Sequence, residues 1–346
     1  MAANGDKTVD ISFCLPVYNV CSFLENCLRS ILNQGWEENG LTYEIFFIDD
    51  GSSDGSYEWL TKRAETVPQM RVEKNEVNSG VSYTRNRLAR EAKGKYIWYV
   101  DPDDMLVRNV VGTFYRLAES YQADVLLGDY FRVSENTAES GEYGFSGGVE
   151  NVQVKQTKRE SPRDPSGRTM SAVWAGMFLK SFLAENSLTM NENMIAQEDT
   201  LFYYEFSLKT DKVYKCNVPC YLYRQRSASV MNTRNDMRAR KYYLSMLEML
   251  RVYQNHLDIG DFDDKELLDQ KIHHSKQNVT QCLASVKDRK YIETQMRILK
   301  SESIYPYKFR KTALKMKPFY LGLLTFLLPL KPFFWLYHYI YVNTHK

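Results

Sequence analysis

The chain contains no apolar run of the ~20 residues that a bilayer-spanning helix needs. It has only five histidines in 346 residues, and its formal charge is a nearly balanced +2. Each shortage removes a class of function. A balanced charge gives no basic field for phosphate backbones, so no nucleic-acid partner is expected. His256, His273, His274, His338 and His345 show no zinc spacing. Residues 1–7 lack an apolar leader, so export is not expected. The six cysteines, Cys14, Cys21, Cys27, Cys216, Cys220 and Cys282, sit in apolar or helical surroundings and read as reduced thiols. Cys216 and Cys220 could bridge if the backbone allowed. Nor is there a Gly- and Lys-rich phosphate loop after the first apolar segment, which counts against a nucleotidyltransferase.

What the chain does have is a series of apolar strands that end in acids. Tyr96-Ile97-Trp98-Tyr99-Val100 runs straight into Asp101-Pro102-Asp103-Asp104. Aromatic and β-branched residues favour the strand, and Pro102 stops it. Three carboxylates on one turn repel each other unless a cation offsets them. Mg²⁺ or Mn²⁺ takes carboxylate oxygens and shares its remaining positions with phosphate and water. The competing reading is a solvated turn that caps a helix starting near Leu106. A second strand, Tyr43-Glu44-Ile45-Phe46-Phe47-Ile48, ends in Asp49-Asp50-Gly51-Ser52-Ser53-Asp54-Gly55. Its glycines allow a tight turn, and its Ser and Asp side chains suit the start of a helix over 57–66. A third strand over 9–15 ends in Pro16-Val17-Tyr18-Asn19 and leads to a helix over 22–33. Strand, polar turn and helix in repetition predict βαβ units and a parallel sheet, with the turns gathered at one edge.

In this order the motifs resemble the family 2 glycosyltransferases, over roughly residues 9–232. The resemblance implies the α/β fold called GT-A: a Rossmann-like, mixed and mostly parallel sheet flanked by helices, here with a helical C-terminal region. It also implies an inverting transfer of a sugar from a nucleotide donor, with UDP expected. The acceptor would be a hydroxyl of a glycan or lipid-linked oligosaccharide in cell-surface polysaccharide synthesis. Pro16, Tyr18 and Asn19 match the family's P-x-Y-N turn. Asp49 and Asp50 open its D-D-G-S-x-D stretch, so Asp50 inherits the reading of the uridine base. Asn78, Gly80, Arg85 and Asn86 match N-x-G-x-x-x-x-R-N, with Arg85 near the base or phosphates. Asp101-Pro102-Asp103 matches D-x-D, which gives Asp103 the metal and Asp101 the ribose or sugar. Trp174 and Glu198 fall on the acceptor side, and Asp199 matches the proposed general base. A Glu-Asp pair there equally favours the positive N-terminus of a helix over 200–208. Tyr223 to Val230 is similar to the Tyr-x-Arg loop that closes over a diphosphate, through Arg224, Arg226 and Ser229. A solvated basic loop is the alternative.

The expected organisation is a catalytic domain over 1–232, with a nucleotide-binding half over 9–104 and an acceptor half over 105–232. A polar insertion is expected near 135–168. A helical region follows over 233–304. Its packing seams are Tyr243, Met246, Leu247, Leu250, Tyr253 and Leu257, then Leu268, Ile272, Ser275, Val279, Cys282 and Val286. The seams pack back on the catalytic domain or pair between subunits, so a homo-oligomer stays open. In residues 305–346, Lys308, Arg310, Lys311, Lys315 and Lys317 precede apolar runs over 319–330 and 333–342 that Lys331-Pro332 separates. Basic residues beside aromatic-rich amphipathic segments predict peripheral contact with an anionic leaflet, here the cytoplasmic face of the plasma membrane. A non-catalytic nucleotide-sugar-binding or membrane scaffold is the alternative to an enzyme.

Overall fold

Strand β1 (Val9–Val17) carries buried residues from Ile11 onward and accepts a parallel neighbour on each side. These neighbours are β2 (Tyr43–Asp49) and β4 (Gly94–Tyr99), and β3 (Met70–Lys74) extends the parallel ladder beyond β2. The computed structural model describes residues 9–137, 143–145, 152–157, 172–226, 236–259, 265–305 and 331–344. Both faces of the parallel strands are covered, which is why they read as continuous apolar runs. Ile11, Phe13, Leu15, Ile45, Phe47 and Trp98 enter one core, while Cys14, Phe46, Ile48, Ile97 and Tyr99 enter the other. Helices α1 (Cys21–Leu32), α3 (Ser56–Ala64) and α4 (Val81–Glu91) make the crossovers, and a short α2 (Trp36–Asn39) precedes β2.

Beyond β4 the sheet becomes mixed. The remaining strands are β5 (Met105–Leu106), β6 (Val125–Ser134), β7 (Val154–Gln156), β8 (Gly176–Leu179) and β9 (Val213–Gln225), and the sheet order is β3-β2-β1-β4-β8-β6-β9-β5 with β7 on β9. β8 runs antiparallel to both β4 and β6, whereas β6 and β9 are parallel. Helices α5 (Val111–Ser120), α6 (Lys180–Glu185) and α7 (Glu198–Ser207) complete this half. α7 is buried on nearly every side, through Leu201, Phe202, Tyr203, Tyr204 and Phe206.

The structure corrects several boundaries. The helix expected near Leu106 starts at Val111, because Met105 and Leu106 pair with Leu222 and Tyr221 as β5. The stretch from Tyr223, expected as loop, is still strand through Gln225. Part of the polar insertion is β7, paired with β9; the Gly-rich 146–150 and all of 158–167 lie outside the described residues. The six cysteines are free thiols, Cys216 and Cys220 included.

The chain divides into two compact units, Met1–Glu192 with Glu198–Ser229, and Asn193–Gln197 with Val230–Lys346. The second contains α8 (Asp236–Ile259), α9 (Lys265–Ala284), α10 (Arg289–Ser301) and α11 (Lys331–Thr344). The α8 seam is buried except at Leu257, which is 38% exposed one turn before the helix ends. On the second seam Leu268, Ile272, Ser275, Val279 and Val286 are buried. Lys331-Pro332 opens α11, where a proline loses no helical hydrogen bond. Among the described residues no helix is long and apolar enough to cross a membrane.

Gly176 marks the tightest approach between strands, since a Cβ there would stand 2.0 Å from the Leu126 carbonyl oxygen. Gly176→Ala is expected to cost about 3 kcal/mol of stability by forcing β8 from β6. Chemical denaturation of the purified variant checks this.

Candidate active site

The loops after β1, β2, β3 and β4 leave the sheet at the same edge and are tied together by backbone. Asp50 N donates to Val17 O and Asn75 N to Asp49 O, both at 2.8 Å, and Val100 N donates to Cys14 O at 3.0 Å. The Asp50 carboxylate, 4% exposed, accepts from Asn75 Nδ2 (2.7 Å), Ser79 N (2.8 Å) and Gly80 N (2.8 Å). It therefore folds the 75–80 loop against the end of β2. Asn78 Nδ2 donates to Asp50 O at 3.0 Å, and Gly80, with φ +90°, begins α4. Asp49 accepts from Gly51 N and Ser52 N at 3.1 and 3.0 Å. Pro16 lies within β1, while Tyr18 at its end is 52% exposed. Asn19 adopts φ +51° and accepts from Ser53 N at 2.8 Å. Asp54 joins two helix starts: it accepts from Cys21 N at 2.9 Å and from Ser56 N at 3.1 Å. A carboxylate at two helix N-termini meets partial positive charge from both.

The second cluster is the acid turn after β4. Tyr221 Oη accepts from Asp101 N at 2.9 Å and hydrogen-bonds the Asp104 carboxyl, which also accepts from Arg224 N at 2.7 Å. Burial, then Asp103 and Asp101, push the Asp104 carboxyl well above the usual carboxylate range. Burial and Asp101 also raise Asp103, whose Oδ2 lies 2.9 Å from Arg226 Nε. Phe23 of α1 lies beneath both the Arg224 and Arg226 guanidinium groups, 5.3 and 5.1 Å from its ring centre. Arg224, expected beside Arg226 at the diphosphate, is 4% exposed and engaged elsewhere. Its Nε donates to Asp103 O at 2.8 Å, and its Nη1 to the carbonyls of Glu135 and Thr137 at 2.7 and 2.5 Å. Ser229 lies outside the described residues.

The acceptor-side residues reach the same edge through Arg85. Its Nη2 donates to Asp101 Oδ1 at 2.7 Å, and its Nη1 to Glu198 Oε1 at 3.1 Å, from a side chain only 7% exposed. Asp199 follows at the start of α7, where its Oδ1 accepts from Thr200 N at 2.7 Å. Burial, then Glu198, push its carboxyl up to about 7, against the opposing pull of Arg85. Its side chain is crowded yet keeps partial exposure. Trp174 stacks on Tyr221 and Tyr223, with ring centres 4.4 and 5.6 Å apart, and its carbonyl accepts from Trp98 Nε1 at 3.0 Å.

The residues fit a divalent cation in one way. Among the described residues no three potential ligands converge, so Asp103 would supply the protein oxygen and bound phosphates most of the rest. Positive charge at the turn would relieve the repulsion that, after burial, raises Asp103 and Asp104. Sequence reasoning missed Tyr221, Asn75 and Phe23. Tyr221 and Tyr223 are two apart on one strand, a same-face spacing that was open to view.

The family model for glycosyl transferase family 2 matches residues 12–183. The chain is 29% identical over 230 residues to the glycosyltransferase GlyG of Streptococcus pneumoniae serotype 4, covering 66% of this chain and 74% of that protein. It is 30% identical over 205 residues to the poly(ribitol-phosphate) beta-glucosyltransferase of Bacillus spizizenii, covering 59% of this chain but only 30% of that protein. In fold it is similar to S. aureus TarS 1-349, with a TM-score of 0.59 and 16% identity over 98% of this chain and 93% of that one. The same TarS fragment in complex with UDP-GlcNAc gives a TM-score of 0.57 at 17% identity, over 94% and 80%.

Asp199 generates a stability prediction. Folded, it keeps its proton to about pH 7, whereas an unfolded aspartate releases it near 3.8. Its stabilising contribution is full below the lower value and is lost as pH rises to the upper one. Asp199→Asn is therefore expected to be more stable than the parent by a margin that grows between those values. The margin levels off above pH 7 at about 4 kcal/mol. Thermal melts of both proteins across pH check it.

Proposed function

Because the chain belongs to glycosyl transferase family 2, we propose that it moves a sugar from a UDP-linked donor to a hydroxyl of a glycan or lipid-linked acceptor, with inversion. One observation carries the reading. The donor-side turn and the acceptor-side acid pair meet on a single buried guanidinium, Arg85, although Arg85 and Glu198 are 113 residues apart. A site of this kind is what a direct displacement needs, with leaving group and proton acceptor held in one frame. That TarS, similar in fold, is found in complex with UDP-GlcNAc supports a uridine nucleotide as the donor's carrier.

In the proposed reaction, Asp199 accepts the acceptor's hydroxyl proton as that oxygen bonds to the anomeric carbon and the bond to the diphosphate oxygen breaks. Asp103 and Arg226 face the diphosphate, and Arg226 contributes charge-assisted hydrogen bonds as negative charge builds on the leaving group. The loop that Asp50 folds, with Asn78 and Gly80, forms the floor for the base. A Mg²⁺ or Mn²⁺ ion at Asp103, when bound, supplies further positive charge to the leaving diphosphate. Asp101, already held by Arg85, presents its other oxygen to the ribose or sugar.

The acceptor is proposed to be met at a membrane surface. On α11, Leu336, Tyr339 and Ile340 are 46%, 67% and 40% exposed at helical spacing i, i+3 and i+4, which gives one apolar face. The basic stretch over 308–317 precedes it in sequence, outside the described residues. Peripheral contact with the cytoplasmic face of the plasma membrane follows as the proposed location.

Calorimetry with UDP, GDP and CMP is expected to show UDP binding that depends on Mn²⁺, and Asp103→Ala is expected to weaken it at least tenfold; metal-independent binding would remove the cation from the reading. Asp199→Asn is expected to bind UDP normally and lose at least 10²-fold in turnover. Parental turnover is expected to rise with pH through about 7, because only the ionised Asp199 accepts a proton. A chain truncated before Pro318 is expected to stay in the supernatant when the full chain sediments with vesicles rich in anionic lipid. If the truncated chain still sediments, the tail is not the contact.

A further inference from the structure

Arg85 was expected among the nucleotide contacts, yet its hydrogen bonds run elsewhere. One terminal nitrogen holds Asp101, the first acid of the turn after β4, and the other holds Glu198, at the start of α7. Those two carboxylates are 26% and 12% exposed, so the pairing is shielded from solvent on both sides. Three acids surround this single cation, since Asp199 also lies within its field. A planar guanidinium suits the geometry, because its fork grips two carboxylates at fixed angles.

We propose that Arg85 is a positioning residue that joins the donor-side acid Asp101 to the acid pair Glu198 and Asp199, so that the two halves of the site share one charge balance. The inference rests on the reading of Asp199 as proton acceptor, but its physical content can be measured without turnover. The groups facing Asp199 are Glu198, Arg85 and Asp101. Arg85 favours the ionised carboxylate; Glu198 and Asp101 oppose it. Removing the cation therefore leaves Asp199 protonated to higher pH. Removing the charge of either neighbouring acid does the reverse, and also frees Arg85 to serve Asp199 more fully.

The test compares thermal melts of each protein with its Asp199→Asn counterpart across pH, and reads the pH at which the Asn advantage levels off. In the parent this falls near 7. In an Arg85→Gln background it is expected at least one pH unit higher, and in Asp101→Asn and Glu198→Gln backgrounds lower. UDP binding with Mn²⁺, measured by calorimetry, is expected to change less than threefold in Arg85→Gln. An unmoved levelling point in Arg85→Gln overturns the proposal, as does a tenfold loss of UDP affinity with no such shift. If Arg85→Gln does not fold, the Asp101→Asn arm decides: a lowered levelling point supports the coupling, and an unmoved one overturns it. If all these shifts occur and Asp199→Asn still turns over at the parental rate, Asp199 is not the base and the functional reading fails while the coupling stands.

Discussion

Like charges gathered at one edge of a sheet are the constraint on which this protein is built. Parallel β1, β2 and β4 all deliver their C-terminal ends to the same edge, and Asp49, Asp50, Asp101, Asp103 and Asp104 lie on the turns that follow. At an effective dielectric of about 20, two charges 4 Å apart interact by about 4 kcal/mol. Such an edge folds only where each carboxylate has a partner or keeps its proton. The structure uses both routes. Asp50 and Asp54 are satisfied by backbone amides, Asp101 and Asp103 by guanidinium groups, and Asp104 by Tyr221 and the Arg224 amide within a turn that favours its neutral form.

These partners have structural consequences beyond neutralising charge. Amides that bond Asp50 are the amides of the 75–80 loop, so satisfying the acid also folds that loop against the end of β2. The arginine that holds the 101–104 turn from the side of β9 is buried against Phe23 of α1, so the turn is supported from two elements at once. Tyr221 adds a third support, and its ring in turn carries Trp174. Trp174 and the Asp101 amide thus lean on the same side chain.

Much of this was legible in the sequence, and the parts that were not share a cause. Apolar runs that end in acids identified β2 and β4, and one that ends in Pro16-Val17-Tyr18-Asn19 identified β1, because parallel strands are buried on both faces. The motif residues Asp50, Asp101, Asp103 and Arg85 were found by type and order, and the structure gathers them at one edge. Local patterning gave no view of contacts between distant segments. Met105 and Leu106 follow a capping turn and read as a helix start, yet pairing with Leu222 and Tyr221 makes them strand. Arg224 and Arg226 look alike in sequence. Only their contacts show that the first is buried in the turn while the second pairs with the Asp103 carboxylate. Asn75 and Tyr221 carry no motif, and their roles appear only once the loops are closed.

The reversed strand β8 has one further consequence. Because it runs antiparallel between β4 and β6, its first residues arrive at the edge that β4 leaves, and with them comes Trp174. The residues assigned to the donor thus belong mostly to the chain before residue 105, and those assigned to the acceptor to the chain after it. On the proposed assignment, substitutions in the later half would reshape the acceptor side while the turns after β1, β2 and β4 stay as they are.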